Sequence, residues 1–269
     1  MGPERMLRAY ARASDRRRRA LNVLNACFDG VWLGLLDRNA LDRLDEHFYS
    51  SGHDEMDGRV FSYREEAHNR SGLHDWERAA IERHFPSGGR VLVTGAGGGR
   101  EVLALLERGF DAVGYEPNGT LVAAGAELMR SLGHDGRLRC CDRDAFPGGR
   151  ERGDAVLVGW GSYMLIPGRD RRVAFVRAAR AAVPDGAPLL CSFFTRPPHA
   201  RYFSILAGTA NAVRQLRRRA PVEVGDTIAE NFAHRFTREE IERELALGGF
   251  RMIAFERRPY GHAVAVAEP

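Results

Sequence analysis

Short apolar runs alternate with amphipathic segments over residues 75–269 of the chain. The clearest runs are Val91–Val93, Ala112–Tyr115 and Ala155–Val158, and valine is frequent in them. The segments between them carry apolar residues three and four positions apart, which is the spacing of a helix with one buried face. Buried strands that alternate with helices are typical of a parallel sheet, because each crossover helix covers one face of it. The pattern therefore predicts an α/β fold.

Two helical additions to this core are predicted. After Ser14-Asp15, which can start a helix, apolar residues at helical spacing predict a helix of about five turns. Residues 200–220, after the fifth predicted strand, have the same spacing and predict a helical insertion. We expect residues 1–74 to form an N-terminal helical cap or lid on a core that spans residues 75–269. The apolar positions of the first helix are Leu21, Leu24, Phe28, Val31, Trp32 and Leu35.

A glycine-rich turn joins the first strand of the core to the helix that follows it. The segment from Val91 to Glu101 reads VLVTGAGGGRE. Gly95 and Gly97 let the backbone turn sharply and approach a ligand, because they carry no Cβ. The next strand ends at Glu116, whose carboxylate can accept both hydroxyls of a ribose. A glycine turn followed by an acid at this distance indicates a nucleotide-binding sheet.

The turn differs from a dinucleotide-binding turn, which has a third glycine where this chain has Arg100. The pattern G-x-G-G-G-R instead resembles motif I of the class I S-adenosylmethionine-dependent methyltransferases. Two later segments are similar to the same family. They are Asp144-Ala145 at the end of the third strand, with Asp142 as the alternative acid, and Gly159-Trp160 at the exit of the fourth. A nicotinamide-dependent reductase remains an alternative, and it predicts that a dinucleotide binds.

The resemblance covers about residues 75–269 and implies a Rossmann-like sheet of seven mostly parallel strands with helices on both faces. The apolar runs at residues 250–255 and 262–267 match the last two strands of the family, of which the final one is antiparallel. The implied cofactor is S-adenosyl-L-methionine (SAM), with S-adenosyl-L-homocysteine (SAH) as its product. The resemblance assigns cofactor binding to Tyr63, Gly95, Ala96, Gly97, Glu116, Pro117, Asn118, Asp144, Ala145, Gly159 and Trp160.

The implied reaction is transfer of a methyl group to an oxygen, in a hydroxyl or a carboxylate, or to a nitrogen of a small molecule. We expect such a reaction to belong to bacterial specialised metabolism. A hydroxyl or amine acceptor needs a general base, and His234 and Tyr163 are the candidate catalytic residues. A structural role remains open for each of them. Two alternatives are a methyltransferase for a peptide or carrier-bound substrate, held by the arginines at 214–219, and a non-catalytic cofactor-binding protein of the same fold.

The amino-acid composition limits the classes of partner and of chemistry that the protein can have. The chain has 40 basic residues and 36 acidic ones, and every basic residue is arginine, so no lysine can act as a base or form a Schiff base. The arginines alternate with acids, which indicates a solvated surface rather than a nucleic-acid site. The chain has no apolar run of about eighteen residues and no signal-peptide order at its N-terminus, so we expect a cytoplasmic protein without membrane contact.

Cysteine and histidine spacing also bears on the chemistry. The 4 cysteines and 9 histidines show no metal-ligand spacing, so no metal is predicted. We expect a small-molecule acceptor, which can be acidic if arginines bind it. A homodimer is left open, because the N-terminal helices can pack either on the sheet or on a partner chain.

Overall fold

The computed structural model describes residues 3–51, 54–56, 59–147 and 151–269. Its N-terminal part is mainly helical. This part consists of α1 (Pro3–Leu35), α2 (Arg38–Ser51), β1 (Asp54–Met56), β2 (Arg59–Phe61), α3 (Glu66–Asn69) and α4 (Asp75–His84).

Strands and helices then alternate along the chain, as predicted. The middle part consists of β3 (Arg90–Thr94), α5 (Arg100–Leu106), β4 (Asp111–Glu116), α6 (Gly119–Ser131), β5 (Leu138–Cys140), β6 (Ala155–Val158), a 3₁₀ turn (Ser162–Leu165), α7 (Arg169–Ala181) and β7 (Pro188–Ser192). The C-terminal part consists of α8 (Arg201–Leu216), β8 (Asp226–Ile228), β9 (Phe232–His234), α9 (Arg238–Leu247), β10 (Phe250–Glu256) and β11 (His262–Ala267).

Seven of these strands form one sheet in the order β10-β11-β7-β6-β3-β4-β5. β3 pairs in parallel with β4 and β6, whereas β11 is antiparallel to both of its neighbours, β7 and β10. Thr94 at the end of β3 lies beside Tyr115 of β4, so the loops that follow these strands meet at one edge. The predicted seven-stranded, mostly parallel sheet with an antiparallel last strand is therefore confirmed.

Helices cover both faces of the sheet. On one face, α7 and α9 contribute Val176, Ile241 and Leu245 to the hydrophobic core. On the other face, α4 and α5 contribute Ile81 and Leu103 to a second buried cluster. Because both faces are covered, the central strands are apolar along their length instead of alternating, which is why they stand out in the sequence.

The first helix is longer than the sequence predicted. α1 extends over 33 residues and continues through Ser14 and Asp15, so the predicted start near Ser14 is wrong. Asp15 does not begin a new helix as an N-cap, because its carboxylate pairs with Arg18 at 2.9 Å and with Arg19 at 2.7 Å, one turn further on in the same helix. The alanines and arginines around it are good helix formers.

The predicted insertion after the fifth strand of the sheet is α8, which packs along α1. A Cβ on Gly30 would lie 2.6 Å from the carbonyl oxygen of Leu206, and one on Gly34 would lie 2.7 Å from Cβ of Val213. The two helices can approach this closely only because α1 has glycine at both places. In the described part of the chain, no helix is long and apolar enough to cross a membrane. The boundary between cap and core at residue 74 stays a prediction.

Candidate functional site

A cleft opens at the carboxyl ends of β3, β4, β5 and β6. The chain proceeds from β3 through β4 to β5 in one direction, and from β6 to β7 in the other, so the strand order reverses between β3 and β6. Open α/β sheets bind ligands at such a reversal. Most of the predicted cofactor residues line the cleft: Tyr63, Gly95, Ala96, Gly97, Glu116, Pro117, Asn118, Asp144, Ala145 and Trp160.

The glycine turn forms one wall of the cleft. Gly95, Gly97 and Gly99 have φ angles of +59°, +54° and +94°, in the left-handed region that glycine enters without a Cβ clash. Gly159 does not line the cleft but packs against the turn. A Cβ on Gly159 would lie 2.3 Å from the carbonyl oxygen of Gly95. The segment that follows β6 therefore contacts the turn directly, and glycine is required there.

A second glycine contact holds the turn from the side of α6. A Cβ on Gly125 would lie 2.3 Å from the carbonyl oxygen of Gly98. We expect Gly125→Ala to lower the free energy of unfolding in urea by about 1–3 kcal/mol, the usual cost of overpacking. Gly119→Ala in the same helix is the matched control, because nothing lies within 4 Å of its added Cβ. The control should be neutral or gain up to about 1 kcal/mol, and equal stability of the two variants would contradict the close contact.

Glu116 ends β4 with a buried carboxylate at the cleft. Its Oε2 accepts the N–H of Gly97, and its Oε1 accepts the N–H of Asn118, both at 2.9 Å. The side chain thereby ties the glycine turn to the N-cap of α6. Burial raises the pKa of the Glu116 carboxyl above its ordinary value, against the lowering effect of these two N–H groups. A carboxylate has about four acceptor positions, so about two remain for hydroxyl groups of a ligand.

Two aspartates follow β5, and both line the cleft. Asp144 has a φ of +58°, a left-handed conformation that aspartate tolerates better than most L-residues. Its carboxylate pairs with Arg38 of α2 at 2.5 Å and with Arg171 of α7 at 3.6 Å. Asp142 is exposed. Since Asp144 is engaged with guanidinium groups, Asp142 stays beside it as a candidate acceptor for an amino group of a ligand.

Aromatic side chains form the other end of the cleft. Trp160 follows β6 and Tyr63 precedes α3, and their ring centroids are 6.4 Å apart. Tyr49 of α2 packs edge-on against Tyr63 with centroids 5.2 Å apart. Along the sheet edge, β5 and β6 are separated by three strand spacings, or about 14 Å. The aromatic end and the aspartate end therefore lie on either side of the glycine turn and Glu116.

His68 lines the cleft beside Tyr63 and was not predicted from the sequence. It belongs to α3, and its ring centroid lies 5.2 Å from that of Tyr63. Burial, helped by the positive charge of Arg100, lowers the pKa of His68 to about 4. The imidazole is therefore neutral at pH 7. The available signal was its position in the short helix directly after Tyr63, a predicted cleft residue.

Arg100 has a role that the sequence did not explain. It is buried and donates to both carboxylate oxygens of Glu77 at 2.8 Å and to Oε1 of Glu101 at 2.7 Å. Oε1 of Glu101 also accepts the N–H of Trp160 at 3.0 Å. Burial acts to raise the pKa of Glu101, but Arg100 and the backbone N–H groups that the carboxylate accepts together outweigh it and hold that pKa below its ordinary value. This cluster connects α4, α5 and the exit of β6 next to the glycine turn.

The two predicted catalytic residues are buried in the core, and neither of them lines the cleft. Tyr163 is 1% exposed, and its hydroxyl donates to Glu244 at 2.9 Å. His234 is 2% exposed, and its Nδ1 lies 2.7 Å from Oδ1 of Asp226. Both rings pack against Phe236. Their positions support the structural role that the sequence left open and do not support catalysis.

Within the described ranges, one set of side chains has the spacing of metal ligands. It consists of Glu223, Asp226 and His234, whose ligand atoms lie within 4.8 Å of one another. Arg172 is buried beside this set and donates to Glu223 and to Glu244, each at 2.7 Å. The Arg172 guanidinium supplies the positive charge that a metal ion would otherwise supply to these carboxylates. The set is therefore part of an ion-pair cluster that joins α7 and α9 to the segment before β8.

None of the arginines at 214–219 lines the cleft, and two of them, Arg214 and Arg219, contact the C-terminal end of α1. Arg214 donates to the carbonyl oxygen of Leu36 at 3.1 Å, and Arg219 donates to that of Leu35 at 2.8 Å. The last carbonyl groups of a helix have no partner within it, so these contacts complete the C-terminal end of α1. They give the two arginines a structural role and leave the peptide or carrier-bound alternative without support from this segment.

Comparison of the sequence with known proteins finds no relative, since neither a family model nor a curated protein matches it. Solved structures do match. One is a SAM-dependent methyltransferase from Methanosarcina mazei, with a TM-score of 0.58 and 17% identity. The match covers 73% of this chain and 99% of that one.

Two further similar structures are small-molecule methyltransferases by name. An amino pentose methyltransferase of calicheamicin biosynthesis from Micromonospora echinaspora, solved with SAM bound, matches with a TM-score of 0.54 and 19% identity over 79% of this chain and 100% of that one. A sugar N-methyltransferase from Streptoalloteichus matches with a TM-score of 0.56 and 18% identity over 77% and 91%. At these identities the likeness shows a shared fold, so the resemblance to class I methyltransferases is confirmed at the level of the fold.

Proposed function

We propose that this protein is a SAM-dependent methyltransferase that transfers a methyl group to an oxygen or nitrogen of a small molecule. The observation that carries the proposal is the buried carboxylate of Glu116, which accepts the N–H of Gly97 at the reversal of strand order. This arrangement suits a ribose held beside a turn that has no Cβ atoms. Arg100, at the place of the third dinucleotide glycine, and the fold shared with SAM-dependent methyltransferases favour SAM over a dinucleotide.

The chemistry of the cleft fits SAM. Thr94 Oγ1 and Asn69 Oδ1 line the cleft, are buried, and have no hydrogen-bond partner among the described residues. A buried acceptor without a partner costs free energy, so a donor such as the amino group of the methionine moiety would stabilise the aromatic end of the cleft, where Asn69 lies beside Tyr63. Asp142 and Asp144 offer acceptors at the other end, where they suit the amino group of adenine.

SAM supplies a methyl group on a sulfonium, which an acceptor attacks in line. The protein has to align the acceptor and exclude water. Tyr63 and Trp160 suit both tasks, because aromatic rings attract a cation to their faces and leave little room for water. The glycine turn holds the ligand close to the sheet edge between this aromatic end and Glu116.

A hydroxyl acceptor has to lose a proton, and we assign His68 as the group that accepts it. The residue lines the cleft at its aromatic end and is unprotonated at pH 7, and although a pKa near 4 makes it a weak base, the proton of a hydroxyl becomes strongly acidic as its oxygen attacks the methyl group. A carboxylate acceptor would not need it. The assignment replaces His234 and Tyr163, which are buried among core residues.

The neutral state of His68 is directly measurable. In an NMR titration of the folded protein, we expect the His68 imidazole to titrate near pH 4, because burial and Arg100 both disfavour its charged form. An unperturbed histidine titrates near pH 6.5. The signal is assigned by its loss in His68→Gln. A midpoint at or above about 6.5 would show that the ring is solvated and would contradict its burial beside Arg100.

We further propose a small-molecule acceptor of bacterial specialised metabolism. Two of the similar structures are named as enzymes for an amino pentose and for a sugar. The aromatic end of the cleft suits a ring, because Tyr49, Tyr63 and Trp160 present flat apolar faces together with polar edges.

Titration calorimetry tests the proposed function without knowledge of the acceptor. We expect SAH to bind the full chain at one site with a Kd on the order of micromolar, equivalent to about −8 kcal/mol. NAD⁺ under the same conditions should give no saturable heat. No binding of SAH at millimolar concentration, or tighter binding of NAD⁺, would overturn the proposal.

A further inference from the structure

Helix α1 leaves large apolar side chains uncovered in two stretches of one face, at residues 6–10 and 21–35. Among the described residues, most of the exposed large apolar side chains belong to this one helix. Tyr10 is 73% exposed, and Leu24 and Phe28 are each 64% exposed. We name this set of side chains the α1 seam. It consists of Met6, Leu7, Tyr10, Leu21, Leu24, Phe28, Val31, Trp32 and Leu35.

The α1 seam follows a heptad repeat. Leu7, Leu21, Phe28 and Leu35 are separated by multiples of seven, and Tyr10, Leu24 and Val31 occupy the positions three residues after them. Apolar residues at these a and d positions form the contact line of a coiled coil. Between residues 7 and 35, only Ser14 and Arg17 interrupt the repeat. A seam of this width and period fits another helix.

The opposite face of α1 shows that the seam is not turned toward its own chain. In the C-terminal half of the helix, Ala26 and Leu33 are buried against α8. From residue 4 to residue 25 nearly every side chain is exposed, so this half projects from the body by about 30 Å at 1.5 Å per residue. An isolated helix of that length is marginal in water, because tertiary packing normally supports it.

We propose that the α1 seam binds the same seam of a second copy of this chain, antiparallel, to form a homodimer. The seam side chains expose on the order of 1000 Å² together, against about 800 Å² per partner in a standard stable interface. A two-fold axis near Leu21, the midpoint of the seam, would let the projecting half of each helix pack on the anchored half of the other. Each copy would then support the part of α1 that its own body does not.

The charges on α1 select the antiparallel orientation. The projecting half carries seven arginines against Glu4 and Asp15. Parallel pairing would place the two arginine clusters side by side and would set Arg17 opposite Arg17 in the seam, which like-charge repulsion opposes. Antiparallel pairing separates the clusters and places each Arg17 beside the uncharged seam residues Leu24 and Phe28 of the other copy. The arginines are Arg5, Arg8, Arg12, Arg16, Arg17, Arg18 and Arg19.

Sedimentation analysis of the full chain tests the proposal. We expect a mass near twice 29.9 kDa at micromolar concentration. Leu24→Glu combined with Phe28→Glu should raise the dimer Kd by about 100-fold or more, as loss of central anchors does. Val23→Glu is the matched control, because Val23 is exposed on the same helix but lies outside the seam. It should leave the dimer and the helical circular dichroism signal intact, whereas the paired variant should lose at most the helical signal of the projecting half of α1, and all variants should retain SAH binding.

A spin label at position 8 tests the orientation. The label is attached to Arg8→Cys in a chain that also carries Cys27→Ser, Cys140→Ser and Cys141→Ser. An antiparallel pair centred on Leu21 places the two labels about 40 Å apart along the axis, whereas a parallel pair places them about 20 Å apart or less. The shorter distance would overturn the antiparallel arrangement.

Two results would overturn the homodimer itself. One is a monomeric wild-type protein at tens of micromolar, and the other is a dimer that survives the paired glutamates in the seam. A monomer that binds phosphatidylserine vesicles through the seam would assign this face to a lipid surface instead. Because SAH binding is measured separately on the same variants, failure of the dimer would leave the proposed methyltransferase function untouched.

Discussion

Replacing Glu116 by glutamine is expected to weaken the binding of SAH by about 100-fold or more. The carboxylate accepts two backbone N–H groups, from Gly97 and Asn118, and has further acceptor positions toward the cleft. A glutamine amide has one acceptor oxygen, so its NH₂ group must face a donor on one side. Hydrogen bonds to a charged group contribute about 1.5–3 kcal/mol each, and loss of two of them accounts for the expected factor.

Titration calorimetry with a matched variant separates this effect from general damage. Glu127→Gln is the control, because Glu127 lies exposed on α6, the helix whose N-cap Glu116 contacts. The control should bind SAH like the wild type. Circular dichroism and the thermal midpoint establish that Glu116→Gln is folded. A folded Glu116→Gln protein that binds SAH within about threefold of the wild type would exclude Glu116 from the cofactor site.

Replacing Arg100 by methionine is expected to lower the free energy of unfolding by about 3–5 kcal/mol. Arg100 is the only cation in contact with the buried carboxylates of Glu77 and Glu101 among the described residues. Its removal leaves two buried charges without a partner, which is the costly way to break a buried ion pair. The loss also reaches the cleft, because Glu101 holds the N–H of Trp160.

Urea denaturation of three variants tests this account. Arg108→Met, just after the end of α5, replaces an exposed arginine and should change stability by no more than about 0.5 kcal/mol. Adding Glu77→Gln to Arg100→Met should recover part of the loss, because one unpaired charge is then neutral. An Arg100→Met protein within about 1 kcal/mol of the wild type would mean that water solvates both carboxylates and that the cluster is open.

The core of the fold was predictable because its physical causes are local. The strands β3, β4 and β6 are buried on both faces, so each appears as a continuous apolar run. The turn at Gly95–Gly99 requires positive φ angles, and glycine is the residue that adopts them freely. Glu116 and the aspartates after β5 were predictable from their place at the ends of these strands.

The residues that could not be predicted depend on partners far away in the sequence. His234 lies between aromatic residues in the sequence, and this setting is the same whether the ring faces a cleft or the core. The structure decides for the core, because β8 brings Asp226 against the ring. Tyr163 is likewise fixed by Glu244, 81 residues further on. Neither contact can be recognised from the residues next to His234 or Tyr163 in the sequence.

Arg100 and Ser14 show two other limits of local patterns. The sequence showed that Arg100 replaces a glycine, but its function depends on Glu77, which the preceding helix α4 brings under it. Ser14-Asp15 has the composition of a helix start, yet Asp15 pairs with Arg18 and Arg19 inside a continuous helix. An aspartate can cap the start of a helix or pair with an arginine inside one, so the residue type did not distinguish these two roles for Asp15.

A crystal structure of the protein with SAH tests the central claim most directly. We expect the two ribose hydroxyls to lie within hydrogen-bond distance of Glu116, with adenine beside Asp142 or Asp144. We also expect the sulfur to face the end of the cleft formed by Tyr63 and Trp160, with His68 open to the adjoining acceptor space. Density for SAH elsewhere on the molecule, or bound with its ribose away from Glu116, would contradict the account.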